Sequence, residues 1–105
     1  MISMKVIMCL TDKIDEELQD ADSYIDLAMK WQAEDQDVSD LFYQLSTEEM
    51  GHMEKLHAEV VDQIKVYKEE NGEPPKGMME LYNHIHQKQI AEAMRIKVKQ
   101  GMYKA

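Results

Sequence analysis

One cysteine, two prolines, four glycines and only 7% aromatic residues leave this 105-residue chain without the means to build several kinds of protein. Cys9 has no partner for an intrachain disulfide. No Cys-x-x-Cys pair exists to make a zinc ribbon, a four-cysteine iron site or a redox dithiol, and a reducing cytosol is the expected compartment. Apolar runs are short. The opening Met1 to Leu10 is too brief to span a bilayer and no small-residue cleavage site follows it, so neither an anchor nor an export signal is expected. Bases are outnumbered, 12 against 21 acids, for a net charge of -9 and a pI near 4.8. Such a surface repels nucleic acid and anionic membranes at long range and suits cations as guests. The length fills one domain of modest core.

What is abundant is helix-forming residues: Glu, Gln, Lys, Met, Leu and Ala fill the long stretches between breakers, while β-branched runs are missing. The fold class is therefore all-α. Thr11 and Asp12 are N-cap candidates. From there Leu10, Ile14, Glu17, Ala21, Tyr24, Ala28 and Trp31 recur in alternating steps of four and three, a bundle-type stripe. Asp15, Glu16 and Glu17 also favour the start of a helix through its dipole. The spacing predicts helix one over 11–34, with residues 1–10 as a loose extension and Met8 as an equally sensible start. Glu34-Asp35-Gln36-Asp37 reads as a polar turn.

A second stripe runs Val38, Phe42, Leu45, Glu49, His52, Leu56, Val60, Gln63 and Tyr67, predicting helix two over 38–70 with Asn71-Gly72 as its C-cap signal. The short turn makes the first two helices an antiparallel hairpin. Glu73-Pro74-Pro75-Lys76-Gly77 separates it from helix three, 78–100, whose stripe of Met78, Tyr82, Ile85, Gln89, Ala93 and Ile96 is narrower and suits bracing or assembly. Charge divides the same way. Residues 1–62 carry 16 acids and 4 bases, residues 63–105 carry 5 and 8, so helix three is a basic partner for an acidic hairpin.

The candidate chemistry sits on the two stripes. Glu17 shares its face with Ile14, Ala21 and Tyr24, so its carboxylate is expected to point inward, where an unpaired charge costs several kcal/mol. Glu49 and His52, an i, i+3 pair, stand on one face of helix two about 5 to 6 Å apart at Cβ. Carboxylate oxygens with one imidazole suit iron, manganese or zinc better than calcium or magnesium. The bland alternative for either Glu is a position at the stripe's edge, snorkelling to water or paired with a lysine. Glu48 and His57 fall off the stripe and read as solvated or supporting groups, and His86 and Glu92, six apart, do not share a face well. Gly51 costs helix two about 1 kcal/mol relative to Ala and is readable as a close-approach point, a local bulge or a tolerated defect. The 10 methionines read as core filler. The Tyr24 hydroxyl either bonds a ligand or sits at the rim.

Glu17 with Tyr24 seven residues on, then Glu49-Met50-Gly51-His52, resembles the first half of the ferritin and rubrerythrin superfamily over residues 12–70. The resemblance implies a carboxylate-bridged di-iron centre with Glu17 and His52 as terminal ligands, Glu49 as the bridge and Tyr24 beside them. The second Glu and Glu-x-x-His of the full fold are missing from the chain. A twofold axis supplies them, so the expectation is a homodimer or higher homo-oligomer completing a ferritin-like four-helix bundle, similar to the half-length encapsulated ferritins. No cargo peptide of that group is evident in residues 99–105, and loading into a capsid is not expected. The implied activity is ferroxidase-type: two Fe(II) per dimer, with zinc or manganese as alternatives, reacting with dioxygen or peroxide in iron handling or oxidative-stress protection. Two other readings stay open, a non-catalytic zinc or iron module whose metal fixes the dimer, and a metal-free helical interaction protein.

Overall fold

Asp35 sets the fold's first corner. Its backbone is extended (φ -150°, ψ 96°) and its carboxylate accepts a hydrogen bond from the Val38 amide at 3.1 Å, capping a helix that starts two residues earlier than the apolar pattern predicts. The computed structural model describes residues 4–104 and contains three helices, α1 (Met4–Trp31), α2 (Gln36–Asn71) and α3 (Lys76–Lys104), with no strand among the described residues. Residues 1–3, part of the expected extension, and Ala105 lie outside them. Gly72 closes α2 with φ 78° and its amide donates to the Lys68 carbonyl, as the Asn-Gly signal predicts. The Pro75 carbonyl then accepts from Met78 and Met79 to start α3. The hairpin is antiparallel and elongated, and the molecule measures 55 × 21 × 18 Å, its long axis matching the roughly 54 Å of a 36-residue helix.

Two expectations are corrected. Residues 4–10 are no loose extension: α1 runs through them and Ile7 has 0% exposure in the core. Thr11 is accordingly not a cap. Its hydroxyl donates back to the Ile7 carbonyl at 2.8 Å, four residues earlier, as a mid-helix threonine does. The buried stripe of α1 is also displaced by one flank: Ile7, Thr11, Ile14, Leu18, Ala21, Ile25 and Ala28 face inward. Leu10, Glu17, Tyr24 and Trp31 of the expected stripe are half-buried beside it. On α2 the buried positions are Ser39, Ser46, Met50 and Val60, while Phe42, Leu45, Glu49, Leu56 and Tyr67 are half-buried and His52 is exposed. The two candidate stripes share Ile14, Ala21 and Ala28, so periodicity alone did not separate them. What separates them is α3, which draws one flank of the hairpin into the core.

α3 lays Tyr82, Gln89, Ile96 and Tyr103, a strict heptad series, against the hairpin. Polar bonds fix it there. The Gln89 amide donates to the Thr11 carbonyl and to Asp15 at 3.0 and 2.9 Å, and Lys99 bridges Asp22 and Asp26 at 2.9 and 2.8 Å. Arg95 joins Asp22 at 2.7 Å. Burial pushes the Asp22 carboxyl up, but hydrogen bonds and charge from Lys99 and Arg95 outweigh it and hold it below its ordinary value. The basic helix thus braces the acidic hairpin, as its charge predicts.

Candidate metal centre

Two cross-helix bonds place the candidate ligands. The Ser39 hydroxyl donates to the Ala28 carbonyl at 2.5 Å and the Ser46 hydroxyl to the Ala21 carbonyl at 2.7 Å. Both are buried, and they lock α1 and α2 in one antiparallel register that brings Glu17 level with the Glu49–His52 turn. One oxygen or nitrogen from each of Glu17, Glu49 and His52 lies within 4.8 Å of the others, the group of its kind found among the described residues. The His52 Nδ1 atom stands 3.5 Å from Glu17 Oε2 and 3.7 Å from Glu49 Oε1. These separations are long for strong hydrogen bonds. They match two donors on one ion, since ligands at about 2.0–2.2 Å from a metal stand roughly 3 to 4 Å apart.

The donor set also carries an unmet need. Glu17 Oε2 is shut off from solvent and has no hydrogen-bond partner. Among the described residues no lysine or arginine is paired with Glu17 or Glu49; their ionic neighbour is the histidine. The lysine-paired alternative for these residues is therefore not what the side chains adopt. A cation is the group that would satisfy two carboxylates and an imidazole at once.

The site looks away from α3. Asp15 and Asp22, held by α3, are each two residues and about 200° around α1 from Glu17 and Tyr24. Along the same flanks of α1 and α2, at helical spacing from the three residues, stand the half-buried Leu10, Tyr24, Phe42, Leu45 and Leu56. Tyr24 packs its ring on Phe42, 6.1 Å between centroids and 22° between planes, and forms no hydrogen bond with any of the three residues. Glu48 is exposed and accepts from Gln44, and Glu92 is engaged by Arg95. His57 is on another side of α2, against α3. Gly51 has open space around a would-be Cβ and sits in uninterrupted helix, which removes both the close-approach and the bulge readings within the chain.

Gln89 is buried, as its place on the helix three stripe predicts, while the serine bonds were signalled only by Ser39 and Ser46 standing seven apart on α2. No helix among the described residues is long and apolar enough to cross a membrane. No protein-family model, curated protein or solved structure matches this chain.

Proposed function

We propose that the protein is a cytosolic ferroxidase-type oxidoreductase of the ferritin-like class, in which two copies face each other across the Glu17–Glu49–His52 seam and hold two iron ions between them. The observation that carries this reading is the convergence of the three donors on the flank of the hairpin that α3 leaves uncovered, with Glu17 Oε2 buried and unsatisfied. A twofold partner doubles the set to four carboxylates and two imidazoles, the complement of a carboxylate-bridged pair. Iron held there would supply the electrons that reduce dioxygen or peroxide, passing from Fe(II) to Fe(III). The chain's own task is to hold charge and geometry: Glu17 and Glu49 neutralise the ions, a His52 ring nitrogen completes the set, and the Tyr24–Phe42 stack lies one heptad along the same flank. His52, 56% exposed in the single chain, is covered by the partner.

Anaerobic purification, metal quantification and native mass test the site, with about two irons per dimer expected and loss of both iron and dimer in Glu49→Ala. Stopped-flow absorbance after mixing the Fe(II)-loaded dimer with oxygen tests the activity. Oxidation no faster than a protein-free control, despite bound iron, sinks the enzyme reading. Zinc retained by the dimer in preference to iron favours the alternative in which metal serves assembly, consistent with the site's place on an apolar seam.

A further inference from the structure

The polar ties that brace α3 all lie from Gln89 onward. Gln89 bonds Thr11 and Asp15, Arg95 and Lys99 hold Asp22, Gln100 donates to Ser46 and Tyr103 to Asp40. Among the described residues no side-chain hydrogen bond or ion pair joins residues 76–88 to the hairpin, and Tyr82 is the one buried side chain of α3 before Gln89. The helix also starts weakly, with no acid in its first turn and Lys76 where the dipole favours negative charge. What this half has instead is a stack of rings: Tyr82 lies on His86 at 5.7 Å, and His86 on His57 of α2 at 4.9 Å with 7° between planes. We propose that the His57–His86 stack is a proton-sensitive latch, closed while both rings are neutral, that holds residues 76–88 on the hairpin and lets them open in mild acid.

His86 Nδ1 is shut off from solvent and has no hydrogen-bond partner, so an imidazolium in that place carries a buried N–H with no acceptor. Its flat neighbour is a second titratable ring, and two imidazoliums at 4.9 Å repel each other. No carboxylate offsets them. Glu54 and Lys97 line the same cavity of about 210 Å³ but pair with each other at 3.9 Å, and Tyr82 stays neutral because burial pushes its hydroxyl up. From α1 only Ile14 lines the cavity, and Asp15 is bonded to Gln89. Burial first, and the charge of His57 second, accordingly hold the His86 ring below the ordinary histidine value of 6.5.

In the opened segment His86 meets water and returns to its ordinary value. The open form therefore binds the proton that the closed form resists: closure is favoured in full above 6.5 and weakens as pH falls below it, until the lower closed-state value is reached. Both ends of the segment stay fixed, at the Gly72 turn and at Gln89, so opening is local unwinding rather than a swing of the whole helix. The Arg95 and Lys99 ties persist through this range, because Asp22, held below its ordinary 3.8, stays ionised. Opening bares the apolar floor of the cavity at Ile14 and Met53.

The test reads amide hydrogen exchange by NMR on the full chain in chelator, with the pH dependence of the chemical exchange step divided out. Protection of residues 80–88 is expected to fall by up to about tenfold between about pH 7.5 and 5.5, the limit for one group protonated only in the open form, while residues 96–103 keep theirs. His86→Phe leaves an aromatic ring in the stack without a titratable nitrogen and is expected to flatten that fall. The His86 ring C–H resonances of the unaltered protein give a reading that needs no variant, with a midpoint expected below 6.5. Protection of residues 80–88 that does not change with pH, an equal fall in His86→Phe, or a His86 midpoint at or above 6.5 each overturn the proposal.

Discussion

Replacing Glu17 by glutamine should make the metal-free protein more stable and the metal-loaded protein less so. In the metal-free chain Glu17 Oε2 is sealed from water without a partner, while the side chain as a whole keeps 24% exposure. An unsatisfied buried acceptor costs about 1–3 kcal/mol, and the residual exposure places this one near the lower end, about 1 kcal/mol. Glutamine is isosteric, carries no charge and offers an amide N–H to Glu49. For a domain of this size about 1 kcal/mol corresponds to a rise of roughly 4–8 °C in melting temperature. With metal the order reverses. An ion at 100 times its dissociation constant stabilises the folded state by about 2.7 kcal/mol, a rise of roughly 10–20 °C that the variant should largely forgo. Thermal melts followed by circular dichroism, at one protein concentration, with chelator and then with Fe(II) under nitrogen, read both halves. A Glu17→Gln variant that melts no higher than wild type in chelator refutes the premise that this carboxylate is unsatisfied. Equal metal-dependent gains in both proteins refute its role as a ligand.

The other predictions concern the frame that carries the site. Ile7→Ala should cost about 2–5 kcal/mol in urea unfolding, because Ile7 is fully buried; a cost near zero would restore the loose-extension reading. Tyr103→Phe removes a hydroxyl that donates to Asp40 at 2.7 Å and lies 2.8 Å from the buried Ser39 hydroxyl, and should destabilise by about 1–2 kcal/mol. The same change should raise the Asp40 carboxyl toward its ordinary value, since the Tyr103 bond is the main cause of its depression, and an NMR titration would show it. Asp22 gives the acid response: its folded-state value is depressed, so its stabilising effect is complete above the ordinary 3.8 and is lost as pH falls through the lower folded value. Wild type should therefore lose stability in that acid window, and Asp22→Asn should lose this component of the pH dependence while melting lower at neutral pH.

Helix count, hairpin, turn and C-cap were legible in the sequence because each has a local cause, the Asp35 carboxylate at one corner and the positive φ of Gly72 at the other. The clustering of Glu49 with His52 was legible for a related reason: the pair needs only helical spacing to meet. Which flank of α1 is most deeply buried was not legible, since Ile14, Ala21 and Ala28 belong to both candidate stripes and the choice is made by α3, seventy residues away in the chain. The start of α1 was misjudged because Thr11 is a good cap by composition, and nothing local reveals that its hydroxyl bonds backward to Ile7. The stacking of His57 on His86 depends on how α3 docks, a tertiary fact with no local signature.

The short turn and the two serine bonds together join fold to site more tightly than either stripe does. Residue numbers paired across the hairpin sum to 67 in both bonds, Ser39 with Ala28 and Ser46 with Ala21. In that register Glu17 is level with Met50, between Glu49 and His52, which is where a shared ion needs it. Sliding the helices by one heptad would preserve the apolar stripes almost unchanged, yet it would carry Glu17 about 10 Å along the axis and separate the donors. Apolar packing alone tolerates such a slip. The serine bonds alone would tolerate it too, since Ser39 would then face the Ala21 carbonyl, but the short Asp35-capped turn between Trp31 and Gln36 leaves no chain to span the offset. The turn thus sets, and the two serine bonds then fasten, the one register in which Glu17, Glu49 and His52 meet.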